Sequence, residues 1–201
     1  MHCLNLIRQR LAEARPNYHA AGEQTRQAAV AIILRSRGDA TDMLFIKRAE
    51  KRGDPWSGHM AFPGGHLEAA DADLRAAAQR ETLEEIGLDL HDGEYLGALD
   101  HQSAMPRGRT LNMLIAPHVF SIEGDPRCTP NYEVQEVVWT SLERLMSNVC
   151  HDTETRPMAG RPTIFNGYRL ERGHFVWGLT YRMLKSLFTA IDPQWQPPRE
   201  L

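Results

Sequence analysis

The sequence predicts an α/β fold, a mixed sheet sandwiched between layers of helix, and three features predict it. Residues 28–34 are an unbroken apolar run with three β-branched members, as expected of a strand covered on both faces. Residues 71–85 consist of good helix formers with no Gly or Pro. Residues 174–190 place Phe175, Leu179, Met183 and Leu187 at four-residue intervals, the stripe of a core-facing helix.

The remaining elements follow in chain order. Leu4, Ile7, Leu11 and Ala14 share one helix face that Arg8, Arg10 and Glu13 avoid, which predicts a docked helix and offers a homodimer interface as one place for it. Arg enrichment without Ser is a poor match to a transit peptide. Residues 16–24 are polar, with a Pro and a Gly, and read as a linker. Residues 1–27 are therefore read as an N-terminal helical extension and linker, and residues 28–201 as the domain. Turn residues at 36–42 precede a second strand at 43–47, and a third at 59–62 runs into Pro63-Gly64-Gly65. Further strands are expected at 94–100, 111–121 and 133–139, with Pro117 consigning part of the middle one to an edge or a bulge. A short helix at 142–146 would follow the Thr140-Ser141 cap.

Composition narrows the function. A chain of 201 residues suits one domain with a short extension, large enough to fold without disulfides or structural metals. A formal charge of −3 argues against an extended nucleic-acid surface and leaves a small molecule as the expected partner. Cys3, Cys128 and Cys150 lie in no metal-ligand spacing and read as ordinary thiols of a reducing compartment, hence a cytoplasmic protein. No apolar run approaches a membrane span, and Arg8 and Arg10 interrupt the only candidate for a secretory core.

The chemistry is concentrated in residues 80–88, Arg-Glu-Thr-Leu-Glu-Glu-Ile-Gly-Leu. On a helix, Glu81, Glu84 and Glu85 fall within about 100° of one another. Like charges at this spacing destabilise a helix by roughly 0.2–0.5 kcal/mol per pair. Gly87 reads as the residue just past the helix end, so the carboxylates also crowd the negative end of the dipole. A divalent cation reverses both penalties, and hard oxygen ligands suit Mg²⁺ or Mn²⁺. Upstream, the Pro-Gly-Gly corner lets backbone amides approach an anion, and Asp71 or Asp73 offers a helix cap.

These residues resemble the signature of the Nudix hydrolases. Arg80, Glu81, Glu84, Glu85, Gly87 and Leu88 meet its second half. Phe62-Pro63-Gly64-Gly65, five residues and then Asp71 match the spacing of the coenzyme A diphosphatase branch. The segments 45–48, 54–60, 133–139 and 175–180 are also similar to that branch. Thr82 stands where a bulky aliphatic residue is usual, and Asp54 where the branch carries a second arginine, a reversal expected to disfavour the 3′-phosphate of coenzyme A.

The resemblance implies an α/β/α sandwich and metal-dependent hydrolysis of a diphosphate joining a nucleoside to another group. Glu81 and Glu85 are the first-choice metal ligands, and Glu84 is a third ligand or the base that orients water. Arg80 props the glutamates, and Gly64 and Gly65 align the helix and meet the substrate through backbone. Arg48 is a candidate phosphate fork. Glu133 is a second candidate base, whereas Glu136 reads as a solvated strand residue. Trp56 is expected to cover the core, Arg107-Gly108-Arg109 to form a basic turn, and His66 is the histidine nearest the signature. A nucleotide sensor on the same fold is the alternative, although such proteins usually lose these carboxylates.

Overall fold

The computed structural model describes residues 4–19, 21–22, 24–54, 56–104, 112–158 and 160–201. Its centre is an eight-stranded mixed sheet with helices on both faces. Strand β1 (Arg26–Arg37) runs parallel to β7 (Met113–Ile122) over their full contact. On its other side β1 forms a hairpin with β2 (Ala40–Arg48), and β2 pairs in turn with β8 (Val134–Ser141). Strand β5 (Glu94–Ala98) and the short β6 (Gln102–Ser103) both pair antiparallel with β7.

The two-residue side-chain period of the strands divides the interior into two cores. Ile32, Leu34, Met43, Phe45, Ile115 and Val119 face one core. Ala31, Ile33, Leu44, Ile46, Ala116 and Phe120 face the other. Helices α1 (Leu4–Glu13) and α4 (Gly178–Ile191) belong to the first core, and α2 (Leu74–Ile86) to the second. Ile7 and Leu11 are buried within the chain, so the stripe that suggested a subunit interface is already covered by its own fold.

One departure from a regular sheet positions everything that follows. The β1–β2 hairpin pairs only from Leu34↔Met43 to the turn, and beyond that point the two strands part. The fork is filled by β3 (Met60–Ala61), paired with β2, and β4 (Gly64–His66), paired with β1. The amide of Ala31 donates to the carbonyl of Pro63 at 2.8 Å, so the glycine corner is bonded into the split.

Two expectations are corrected. Pro117 is neither at an edge nor in a bulge: it is buried in interior strand β7, opposite Val30. The ring lacks an N–H, but on that side the partner strand is interrupted between β5 and β6, and the Pro117 carbonyl still accepts from Leu99 at 3.0 Å. The last helix begins at Gly178, because residues 175–177 form strand β11 (Phe175–Trp177). Strand β11 completes a second, three-stranded sheet with β9 (His151–Met158) and β10 (Arg161–Arg169), which the sequence reading missed. The short helix α3 (Leu142–Met146) is as expected, with Ser141 capping the Arg144 amide. No helix among the described residues is long and apolar enough to cross a membrane. Residues 107–109 lie outside the described residues.

Candidate active site

Helix α2 carries the glutamates and is fixed at both ends. Asp73 is its N-cap, accepting from the Ala76 amide at 2.7 Å, and Gly87 ends it in the left-handed conformation (φ 66°). Ala77 and Ala78 are fully buried and bring the helix close to the sheet. Thr82 is buried too, its hydroxyl returned to the Ala78 carbonyl at 2.7 Å, so a small side chain fits where a larger aliphatic one is usual.

This packing presses the far turn of α2 against the glycine corner. The Gly64 amide donates to Glu85 Oε2 at 2.9 Å. A Cβ on Gly64 (φ 152°) would lie 2.2 Å from the Ala29 carbonyl oxygen, and one on Gly65 would lie 2.2 Å from Glu81 Oε1. Gly64 therefore requires glycine for its backbone, whereas a side chain at residue 65 would have to displace the Glu81 carboxylate.

Arg80 joins the glycine corner, the loop before the helix and the glutamates. Its guanidinium makes two 3.0 Å bonds to Asp71 and donates to the His66 carbonyl at 2.9 Å. It also lies 3.1 Å from Glu81 and 3.3 Å from Glu84. Asp71 is thus an ion-pair partner, not the cap, and the Arg80 hydrogen bonds hold its carboxyl below the usual range. Glu84 is the outlying member, with its side chain 55% exposed.

The C-terminal carbonyls of a helix ordinarily lack partners. Here the loop before β8 supplies them: the Asn131 side chain donates to the Glu84 carbonyl, the Asn131 amide to that of Glu85, and the Thr129 amide to that of Ile86. Asn131 Oδ1 then accepts from the Glu133 amide, and the Glu133 carbonyl accepts from Ala49. Glu133 is held between the end of α2 and the end of β2. The sequence reading did not single out Asn131; its signal is an Asn two residues before the candidate glutamate, the spacing of an Asx turn.

Arg48, at the end of β2, does not stand free. It pairs with Asp54 at 2.9 Å, and Asp54 also accepts from the Trp56 amide. Burial opposes ionisation of Asp54, but the Trp56 amide and Arg48 outweigh it and hold the carboxyl below its usual range. The negative charge expected to meet substrate at Asp54 is therefore compensated. Trp56 is partly buried against the first core, as expected. Glu136 is not simply solvated: it pairs with Arg172 and lies 3.1 Å from His174. His66 contacts Arg26 at 2.9 Å.

Glu81, Glu85, Glu133, Arg48, Gly64 and Gly65 all line one cavity of about 750 Å³. Burial pushes the Glu85 carboxyl up to about 7; the Gly64 amide and Arg48 oppose this, and Glu81 and Glu133 reinforce it. Burial likewise raises Glu81, against the pull of Arg80. Among the described residues no three His, Cys, Asp or Glu side chains are gathered at ligand geometry. The donors nevertheless fit a hard divalent ion: one buried and one half-buried carboxylate, both made harder to ionise by burial, beside a Gly64 backbone that only glycine permits.

Another part of the cavity lining comes from the second sheet and the start of α4, with Arg156, Met158, Phe165, Trp177 and Leu179. Sequence reading had noted residues 175–180 without placing them at the site.

Known proteins resemble the chain in sequence and in fold. The NUDIX domain family model matches residues 25–159. An uncharacterized Nudix hydrolase, NudL, from Citrobacter koseri is 36% identical over 88% of this chain and 88% of its own. The peroxisomal coenzyme A diphosphatase NUDT7 of Mus musculus is 29% identical over 77% of this chain, and an uncharacterized Schizosaccharomyces pombe protein is 35% identical over 54% of it. The matches span 65% of the mouse protein and 34% of the yeast one. A MutT/nudix family protein from Enterococcus faecalis shares the fold, with a TM-score of 0.54 at 19% identity over 91% of this chain and 67% of that one.

Proposed function

The chain belongs to the Nudix family, and we propose that it is a divalent-metal-dependent hydrolase that opens the diphosphate of a nucleoside diphosphate joined to a second group. The observation that carries this reading is the buried carboxylate of Glu85 and the half-buried one of Glu81, lining a 750 Å³ cavity that also holds Arg48 and Glu133. Its size lies in the range of small-molecule sites.

Glu81 and Glu85 hold the ion, with Glu84 the third carboxylate of the set. When bound, Mg²⁺ or Mn²⁺ shields the diphosphate charge and makes water a better nucleophile. The rest is the work of the chain. Glu133 accepts the proton of the attacking water: it lines the cavity, acts electrostatically on Glu85, and its carboxylate is engaged by neither the corner nor Arg80. Water adds to one phosphorus, the bridging P–O bond breaks, and two phosphate monoesters leave. Arg80 fixes Glu81, the Gly64 amide fixes Glu85, and Arg48 turns positive charge toward the phosphates. Coenzyme A-like and ADP-ribose- or NADH-like diphosphates are the substrate classes we favour, the former supported by the likeness to the mouse diphosphatase.

The test is product analysis with purified protein and Mg²⁺, Mn²⁺ or no metal. The panel comprises coenzyme A, dephospho-coenzyme A, ADP-ribose, NADH, dinucleoside polyphosphates and nucleoside triphosphates. Metal-dependent cleavage that Glu85→Gln lowers at least about a hundredfold is the expected result. Silence across the panel with nucleotide binding retained replaces this reading with that of a sensor.

A further inference from the structure

A diphosphate and its ion would engage the carboxylates, and another part of the cavity lining has a different chemistry. In the second sheet, directly paired residues share a face. The register sets Phe165 of β10 opposite Glu154 of β9, and Trp177 of β11 opposite Gly167 of β10. Phe165 and Trp177 therefore lie on one face, with Arg156 two residues along β9 from Glu154. Their ring centroids are 4.6 Å apart, the Arg156 guanidinium stands 4.8 Å over the Trp177 ring, and His59 meets Trp177 edge-on at 4.8 Å. All four line the cavity.

These rings are not simply core. Phe175, two residues before Trp177 on β11, is buried at 4% exposure, whereas Phe165 and Trp177 are only half-buried and line the cavity. The carboxylate nearest them, Glu154, is engaged by Arg156 and Arg169 at 2.6 Å each, so no uncompensated acid repels an electron-rich ring. Gly178 follows at the cavity wall, and a Cβ there would have nothing within 4 Å, so space remains open beside Trp177.

From this arrangement the structure assigns a base-binding subsite: Trp177 and Phe165, steadied by Arg156, receive the planar nucleobase of the substrate while its diphosphate lies at the glutamates. An aromatic face beside a guanidinium holds any base by stacking and cation–π attraction, with little regard for its hydrogen-bonding edge. The assignment rests on the hydrolase reading for where the diphosphate lies, but base recognition is measurable without turnover.

The experiment compares binding of AMP and ribose 5-phosphate to the full chain with Mn²⁺ present, by calorimetry. Wild type should bind AMP at least about fivefold more tightly, the scale of one base–aromatic stack. Trp177→Ala should erase that ratio and leave ribose 5-phosphate unchanged, whereas Trp177→Phe should keep most of it. With ADP-ribose, Trp177→Ala should raise KM and leave kcat within about twofold, since the ring touches no reacting atom. Should Trp177→Ala not fold, saturation-transfer NMR on wild type decides: transfer to the adenine protons exceeding that to the ribose supports the subsite, and the reverse overturns it. An AMP preference that survives Trp177→Ala also overturns it. Base-dependent binding without turnover of any diphosphate keeps the subsite and removes the hydrolase; turnover with base-blind binding does the opposite.

Discussion

The amide of Gly64 and the carboxylate of Glu85 meet at 2.9 Å across twenty-one residues of sequence. This bond ties the corner that fills the β1–β2 fork to the last turn of the signature helix. It places a carboxylate that burial would rather keep neutral beside a backbone amide that donates to it. Additional positive charge is what the arrangement lacks.

Gly65→Ala is the sharpest probe of the corner. Its new methyl group would overlap the Glu81 carboxylate at 2.2 Å, at the end of a side chain able to turn away. We expect a folded protein whose Mn²⁺ affinity and kcat both fall at least about tenfold. Gly64→Ala meets rigid backbone instead and should cost about 3 kcal/mol of stability or more. Thermal melts and Mn²⁺ titration separate the two, and a Gly65→Ala protein with wild-type Mn²⁺ affinity removes Glu81 from the ligand set.

Glu133 and Glu85 should fail differently. Glu133→Gln is expected to lower kcat at least about a hundredfold while Mn²⁺ binding is kept. Glu85→Gln should lose both. If Glu84→Gln abolishes the rate with Mn²⁺ bound and Glu133→Gln does not, Glu84 is the base.

Asp54 pairs with Arg48 instead of standing alone, which sharpens the expectation for substrates with an extra phosphate. Wild type should favour dephospho-coenzyme A over coenzyme A, because Arg48, already shared between the diphosphate and Asp54, has no charge to spare for a further phosphate. Asp54→Asn releases Arg48 and should narrow the kcat/KM ratio by about five- to tenfold. Equal wild-type rates on the two substrates exclude this account.

His118 supplies a pH dependence of stability remote from the glutamates. It is 8% exposed on β7, with Nδ1 3.1 Å from the Tyr95 hydroxyl. Burial lowers its pKa from 6.5 to about 4; Asp73 opposes the shift, and His101 and Arg75 add to it. The unfolded chain therefore takes up the proton first, so stability is full above about pH 6.5 and declines as pH falls toward 4. On the order of 2–3 kcal/mol is at stake. Urea unfolding of wild type and His118→Gln at pH 7.5 and 4.5 should show a smaller acid loss in the variant.

The residues that carried information locally were readable and those that act at a distance were not. The apolar run at 28–34 could only be an interior strand, and Gly87 and Asp73 marked the ends of α2 by their chemistry. Residues 151–158 gave no such sign: half-buried on both faces, they alternate polar with polar and show no hydrophobic period. Arg48 and Asp54 are only six residues apart, yet their pairing depends on how the chain turns between them. Asn131 is unremarkable until its partners, the carbonyls of Glu84 and Glu85, are known. Pro117 misled because the rule against proline in a sheet interior assumes an unbroken neighbour.

The second sheet has a consequence for how such a protein changes. Its cavity wall comes from residues 151–177, whereas the carboxylates come from 81–85 and 133, and the two stretches share the cavity without sharing an element. On the proposed function, cleavage and choice of cargo are inherited on separate pieces of chain. A hairpin transplanted from a relative is a route to a new substrate that leaves the scissors intact.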